Sequence, residues 1–280
     1  MRRIHVGLML FAWLALGLPA HAVMLRYSPK VGETIKHKVS MAGRTSAVVE
    51  GMGETMRMEL SGAMQYTEKA LSETPDTVRV ETRVTGGKFT MSVGGQSESQ
   101  QAPKGKFVAD MDRRGRLVKA IEADFGGKSG AQDFMTGGTG SLSNLTTFAA
   151  FPEGDVKVGD TWSDEIKIPA TQGGPEVNLS LTSRLLDLAD FQGRKCAKIR
   201  TTFKGPMSFS APAGSDDPGN TMEAALQGDL IWYYDYENSI YVSGEGSVGM
   251  DMKMSVSGPE MPGLPVTTKM LMNVKLSLAK

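Results

Sequence analysis

Apolar and polar residues alternate one by one along most of this chain. From Met56 to Lys69 the even positions begin Met56, Met58, Leu60, Gly62, Met64 and Tyr66. The odd positions are Arg57, Glu59, Ser61, Ala63, Gln65, Thr67 and Lys69. A period of two puts the first set on one face of a sheet and the second in water, whereas a helix would mix them on every face. The pattern recurs in Ile35, His37, Val39 and Met41, and in Val78, Val80 and Val84. Near the end, Ile240, Val242, Val248, Met250, Met252, Met254 and Val256 share a face opposite Tyr241, Glu245, Asp251 and Lys253. Val266, Met270, Met272, Val274, Leu276 and Leu278 oppose Lys269, Asn273, Lys275 and Ser277. One-sided strands of this kind belong to antiparallel sheets with one wet face, so the fold class expected is all-β.

Two stretches modify that picture. A strand from Ile240 to Ser257 would run roughly 60 Å at ~3.3 Å per residue, and Gly244, Gly246 and Gly249 interrupt it. Glycines inside strands mark bends or bulges, so a strongly curved strand is expected. From Gly126 to Gly140 the chain is rich in Gly, Ser and Thr. Leu142, Leu145 and Phe148 then have the spacing of one helical face, with Ser141 or Ser143 as a cap and Pro152 as the stop. Residues 126–152 therefore read as a connector carrying a short helix, between a first β unit over 23–125 and a second over 153–280.

The two units resemble each other. Val31-Gly32-Glu33-Thr34 opens the first and Val158-Gly159-Asp160-Thr161 the second. A hairpin running from Phe107 through Asp112 and Gly115 to Val118 matches one running from Trp232 through Asp235 and Asn238 to Tyr241. Each has an aromatic-led strand, an Asp, two or more turn residues, and an apolar return strand. Asp bonds its own backbone at such turns, and Gly or Asn tolerates the left-handed conformation.

The first residues place the protein. Arg2 and Arg3 precede an apolar run from Ile4 to Leu18, Pro19 breaks it, and Ala20-His21-Ala22 supplies a small-x-small site. This predicts a signal peptide over 1–22, cleaved after Ala22, and a soluble periplasmic or secreted mature chain. The run is too short for a spanning helix, which needs ~20 residues, and no Cys stands at the cleavage point to accept a lipid. Cleavage would remove two Arg and no acid from 31 basic and 31 acidic residues, leaving 29 against 31. That balance argues against a nucleic-acid partner. The lone Cys196 forms no internal disulfide and reads as a small buried apolar residue.

The segment Phe151-Pro152-Glu153-Gly154-Asp155-Val156-Lys157-Val158-Gly159-Asp160-Thr161-Trp162 resembles a signature of uncharacterised bacterial exported proteins, in which a Pro precedes a VKVGDTW string between two β halves. The resemblance implies an envelope protein and no catalytic residues. At the level of fold, long curved strands around an apolar concavity look like the half-barrel of periplasmic lipoprotein carriers. The architecture expected is thus two similar half-barrel-like units of long, curved antiparallel strands.

Candidate chemistry is sparse. After cleavage His37 is the single histidine, and its place on the apolar side of a strand suits a core residue better than a catalyst. Gly244-Glu245-Gly246-Ser247-Val248-Gly249 spells a dinucleotide motif, but an alternating strand follows it where a helix is required. The acids around Ser215-Asp216-Asp217 lack the spacing of a calcium loop. No catalytic constellation, cofactor motif or histidine-based metal set is visible. Methionine is the unusual residue, 19 in all. Met56, Met58, Met64, Met250, Met252, Met254, Met270 and Met272 fall on apolar faces, several as M-x-M pairs. Thioethers make a flexible, polarisable lining, so the reading favoured is a non-enzymatic protein that binds a lipid or other apolar ligand in a concave sheet. The alternatives are a structural or interaction module with a closed core, and a Met-based Cu(I) site.

Overall fold

The computed structural model describes residues 22–49, 55–102, 104–124, 150–168, 176–210, 221–258 and 261–279. Its strands are β1 (Thr34–Val49), β2 (Thr55–Glu73), β3 (Thr77–Val93), β4 (Gln96–Gln101), β5 (Gly105–Asp112), β6 (Leu117–Asp124), β7 (Thr161–Ile168), β8 (Glu176–Phe191), β9 (Arg194–Ser210), β10 (Thr221–Asp235), β11 (Ile240–Gly258) and β12 (Met261–Leu278). All belong to one curved antiparallel sheet in the order β6-β5-β3-β2-β1-β12-β11-β10-β9-β8-β7, with β4 extending the outer edge of β3. The first half of the chain forms one wing and the second half the other. They join where the first strand pairs with the last, His37 opposite Leu278 and Val49 opposite Val266. The predicted helix over Ser141–Phe148 and most of the connector lie outside the described residues, as do Ala20 and the rest of 1–21.

One face of this sheet is buried near one of its ends by what crosses there. Residues 23–31 form an extended strap in which Leu25, Tyr27 and Pro29 are buried while Met24, Arg26, Ser28 and Lys30 are exposed. The strap is tied to both wings. Its Tyr27 N–H donates to Arg113 O in the β5–β6 turn, and its Ser28 N–H donates to Ser239 Oγ in the β10–β11 turn. Val23 and Val156 exchange a pair of backbone hydrogen bonds. Phe151 plugs the space beneath, fully buried, with its ring 4.4 Å from Tyr234 and 6.2 Å from Tyr241. Each such buried side chain contributes about 1.5–3 kcal/mol of hydrophobic stabilisation. We call this the fastened end.

The edge strands β6 and β7 also approach each other there. Arg114, in the turn before β6, donates through Nε to Phe151 O and pairs with Asp164 of β7 at 3.0 Å. Trp162 of β7 donates Nε1–H to Ala150 O at 2.7 Å. The sheet is thus drawn together at the fastened end by side chains, without a backbone ladder between its edges.

The turns matched by sequence share their hydrogen bonding. Gly32 and Gly159 both take positive φ (86° and 99°). Their N–H groups donate to Ala70 O on β2 and Leu185 O on β8, while Glu33 and Asp160 donate back three residues, to Lys30 O and Lys157 O. In the two hairpins Asp112 Oδ1 accepts from the backbone of Arg114 and Arg116, and Asp235 Oδ1 from that of Glu237 and Asn238.

The expected role of the β11 glycines needs correcting. One register shift lies at Val242, since Tyr233 pairs with Ser243 but Tyr234 with Tyr241, and a second between Val256 and Gly258, neither at Gly244, Gly246 or Gly249. The extra residue at Val242 reverses the alternation, so Tyr241 joins the inner face that sequence had assigned to Ile240 and Val242. Gly244 instead makes room: a Cβ there would stand 2.3 Å from the Trp232 ring, which lies across the strand.

Candidate functional site

Cross-strand register turns the apolar stripes into rows across the inner face. Near the fastened end, Met64, Val39, Leu276, Gly244, Trp232, Ile199 and Leu185 are successive neighbours across seven strands, and their side chains are buried. Six residues further along β1, Met58, Thr45, Met270, Met250 and Leu226 form an equivalent row. Beyond it come Met56, Ala47, Thr268, Met252 and Ala224. The inner rows from Val39 to Ala47 extend roughly 26 Å along the strand.

Burial falls off along that length. On β2, Ala70, Glu68, Tyr66 and Met64 are buried, Gly62, Leu60 and Met58 are half-buried, and Met56 is 54 % exposed. On the second wing Met250 is buried, while Met252, Met254, Met270 and Met272 are half-buried. The predicted methionines therefore share one face but divide in role. Met64 belongs to the closed core and Met250 lies beneath the others. Met56, Met58, Met252, Met254, Met270 and Met272 line a part of the inner face that no other described element covers.

Across β2, β1, β12, β11 and β10, the three rows from Gly43 to Ala47 carry no charged side chain. Their polar groups are the hydroxyls of Thr45 and Thr268. Charge lies on the opposite face, where Arg44 pairs with Glu59 at 3.3 Å and both are largely exposed. A separate hollow of about 430 Å³ sits on that charged face, lined by Ala42, Arg44, Glu59, Ser61, Leu271 and Asn273 among others. It involves none of the predicted methionines.

Sequence reasoning missed Met91, 44 % exposed and in register with Leu60 on the inner face. The reason is a bulge at Thr85: Gln65 pairs with Gly86 but Tyr66 with Val84, which shifts β3 by one residue. It also missed the buried polar groups of the fastened end. Tyr27 Oη donates to Glu68 Oε1 at 2.5 Å, and both side chains are buried. Burial raises the Glu68 carboxyl above its usual range, and the Tyr27 hydroxyl partly opposes that shift. His37 stacks on Tyr66 at 4.9 Å with its Nδ1 buried and unpartnered, and burial lowers its pKa to about 4. A neutral imidazole packed in a core, with no nucleophile or carboxylate hydrogen-bonded to it, has no catalytic arrangement around it. Cys196 is buried as well, its thiol pushed up to about 11 mainly by burial, which makes it a poor nucleophile. Among the described residues no three His, Cys, Asp or Glu side chains are grouped to hold a metal ion.

No protein-family model and no curated protein matches the chain. Among solved structures, a lipovitellin structure concerned with lipid–protein interactions aligns at a TM-score of 0.44 and 9% identity, covering 91% of this chain and 25% of that one. The chain thus spans about a quarter of the lipovitellin chain. DynF, from the dynemicin biosynthesis pathway of Micromonospora chersina, aligns at a TM-score of 0.26 and 9% identity, covering 91% of this chain and 85% of that one. Both likenesses are too distant to bear on function.

Proposed function

We propose that this is a non-enzymatic, exported protein that holds an apolar molecule, of the chemistry of an acyl chain, against the far half of its inner face. The observation that carries this reading is the uncovered, uncharged lining of Met56, Met58, Leu60, Met91, Met252, Met270 and Met272. Water against such a surface is unfavourable by roughly 25 cal/mol per Å² of apolar area, and methionines adapt to guests of varied shape. The fastened end is filled, as a structural module would be, and that confines the ligand to the far half. With no charge on these rows, a polar head group would sit outside the lining.

Native mass spectrometry after detergent-free purification tests the proposal. Lipid-sized adducts are expected, together with displacement by a fluorescent fatty-acid probe. Met58→Glu and Met270→Glu, each placing a carboxylate on a half-buried row, are expected to abolish probe binding while circular dichroism stays unchanged. Probe binding indifferent to both substitutions would overturn the reading. The mature mass tests export as well: a chain beginning at Val23 is expected from an envelope extract.

A further inference from the structure

The register of β11 and β12 brings two M-x-M pairs side by side. Met250 faces Met270 directly, Met252 faces Thr268, and Met272 faces Val248. Met250, Met252, Met270 and Met272 therefore occupy adjacent and diagonal positions of one face. Facing Cβ atoms lie ~4.5–5.5 Å apart and diagonal ones somewhat under ~7–8 Å. Each sulfur stands two bonds beyond Cβ on a flexible chain, so the facing pair Met250 and Met270 can converge with either Met252 or Met272 on a common point above the sheet. Met252 and Met272 flank that pair on opposite sides, about 13 Å apart along the strands. Met250 is 5 % exposed and anchors the floor, while the other three are half-buried and reachable from solvent.

We propose that Met250 and Met270, joined by Met252 from one side or Met272 from the other, form a three-thioether binding site for a soft monovalent cation of the Cu(I) class. Their donors are neutral and polarisable, which suits Cu(I) and Ag(I) and disfavours the hard, oxygen-seeking divalent ions. Nothing nearby alters that preference. The neighbouring inner-face groups are Val248, Gly43, Leu226, Ala224, Thr45, Thr268 and the further thioether of Met254. Asp251 and Lys269 pair with each other in register but project from the opposite face. Binding is simple coordination of a +1 ion, with no electron transferred. The site shares Met252, Met270 and Met272 with the apolar lining but depends on their donor atoms, which leucine lacks while matching their volume and hydrophobicity.

The test uses Ag⁺, which is redox-inert, with the purified protein. In methionine-methyl-labelled protein, Ag⁺ is expected to shift the methyl signals of Met250 and Met270 together with that of Met252 or Met272, saturating at one ion per chain, while that of Met64 stays in place. A variant carrying Met250→Leu, Met252→Leu, Met270→Leu and Met272→Leu in a Cys196→Ala background is expected to lose the single-ion adduct seen in the Cys196→Ala parent. Its circular dichroism and urea midpoint are expected to match those of the Cys196→Ala parent. Should the fourfold variant fold poorly, Met270→Leu alone, at a half-buried position common to both arrangements, is expected to weaken binding. An Ag⁺ adduct that survives the leucine substitutions, or methyl shifts confined to other methionines, overturns the proposal.

Discussion

Tyr27 donates its hydroxyl proton to the buried carboxyl of Glu68 across a sequence separation of 41 residues, fastening the amino-terminal strap to the inner face of β2. Removing the donor leaves a buried acceptor without that partner. Tyr27→Phe is therefore expected to cost about 1–3 kcal/mol, read as a lower urea midpoint. Because desolvation raises the Glu68 pKa, the folded protein keeps a proton that the unfolded chain releases. The stabilisation is full below the ordinary glutamate range and is lost as pH rises through the folded value. Glu68→Gln keeps an acceptor for Tyr27 and removes the titration. Its unfolding free energy at neutral pH is expected to equal or exceed that of the parent, with the parent's decline on the alkaline side of the carboxylate range flattened.

His37 has the opposite sign. Its pKa is lowered from 6.5 to about 4 by burial, so the unfolded chain takes up a proton first as pH falls. Stability is lost between those two values, by up to about 3 kcal/mol. Tyr66, stacked on the imidazole, and Glu68, two residues further along β2, are the titratable neighbours. His37→Phe preserves the stacking and removes the titration. Urea unfolding across that window should show a flatter profile than the parent, and an unchanged slope would contradict the burial argument.

Gly244→Ala tests the close approach of Trp232. A Cβ at this position meets two ring carbons at 2.3 and 2.4 Å, so the ring or the strand must move at a cost of about 1–3 kcal/mol. A lower melting temperature and altered tryptophan fluorescence are expected. Gly154→Ala, with nothing within 4 Å of the added carbon, serves as the comparison and should leave both readings close to the parent.

The pairing of Arg114 with Asp164 holds the two sheet edges near each other with side chains only 18% and 12% exposed. Asp164→Asn removes the charge facing Arg114 from an oxygen that is buried and makes no hydrogen bond, and is expected to cost about 1–2 kcal/mol. Hydrogen exchange should quicken in β7 and around Phe151. Glu59→Gln, which breaks the exposed pair with Arg44, should change little.

The long stripes of β2 and β12 were legible because a two-residue period sustained over a dozen positions admits one interpretation. Tyr241 and Met91 were not, because a bulge at Val242 or Thr85 is fixed by the partner strand's register and leaves no trace in local alternation. The strap was also hidden. Leu25, Tyr27 and Pro29 make too short a pattern to stand out, and partners such as Ser239 lie 211 residues from Ser28. For the same reason alternation told which face Met64 and Met56 occupy, yet could not tell that one is core and the other 54 % exposed. That difference comes from what crosses the fastened end.

Pairing β1 with β12 has a consequence for how the chain reaches this state. His37 and Leu278 are neighbours at the centre of the sheet although 278 − 37 = 241 positions separate them. The middle of the structure can therefore be completed only once β12 has emerged. Contacts of such high order form slowly, and until then both wings expose open strand edges to association. A chaperone that holds the polypeptide extended should raise its yield, whereas early compaction of either wing alone should favour aggregates.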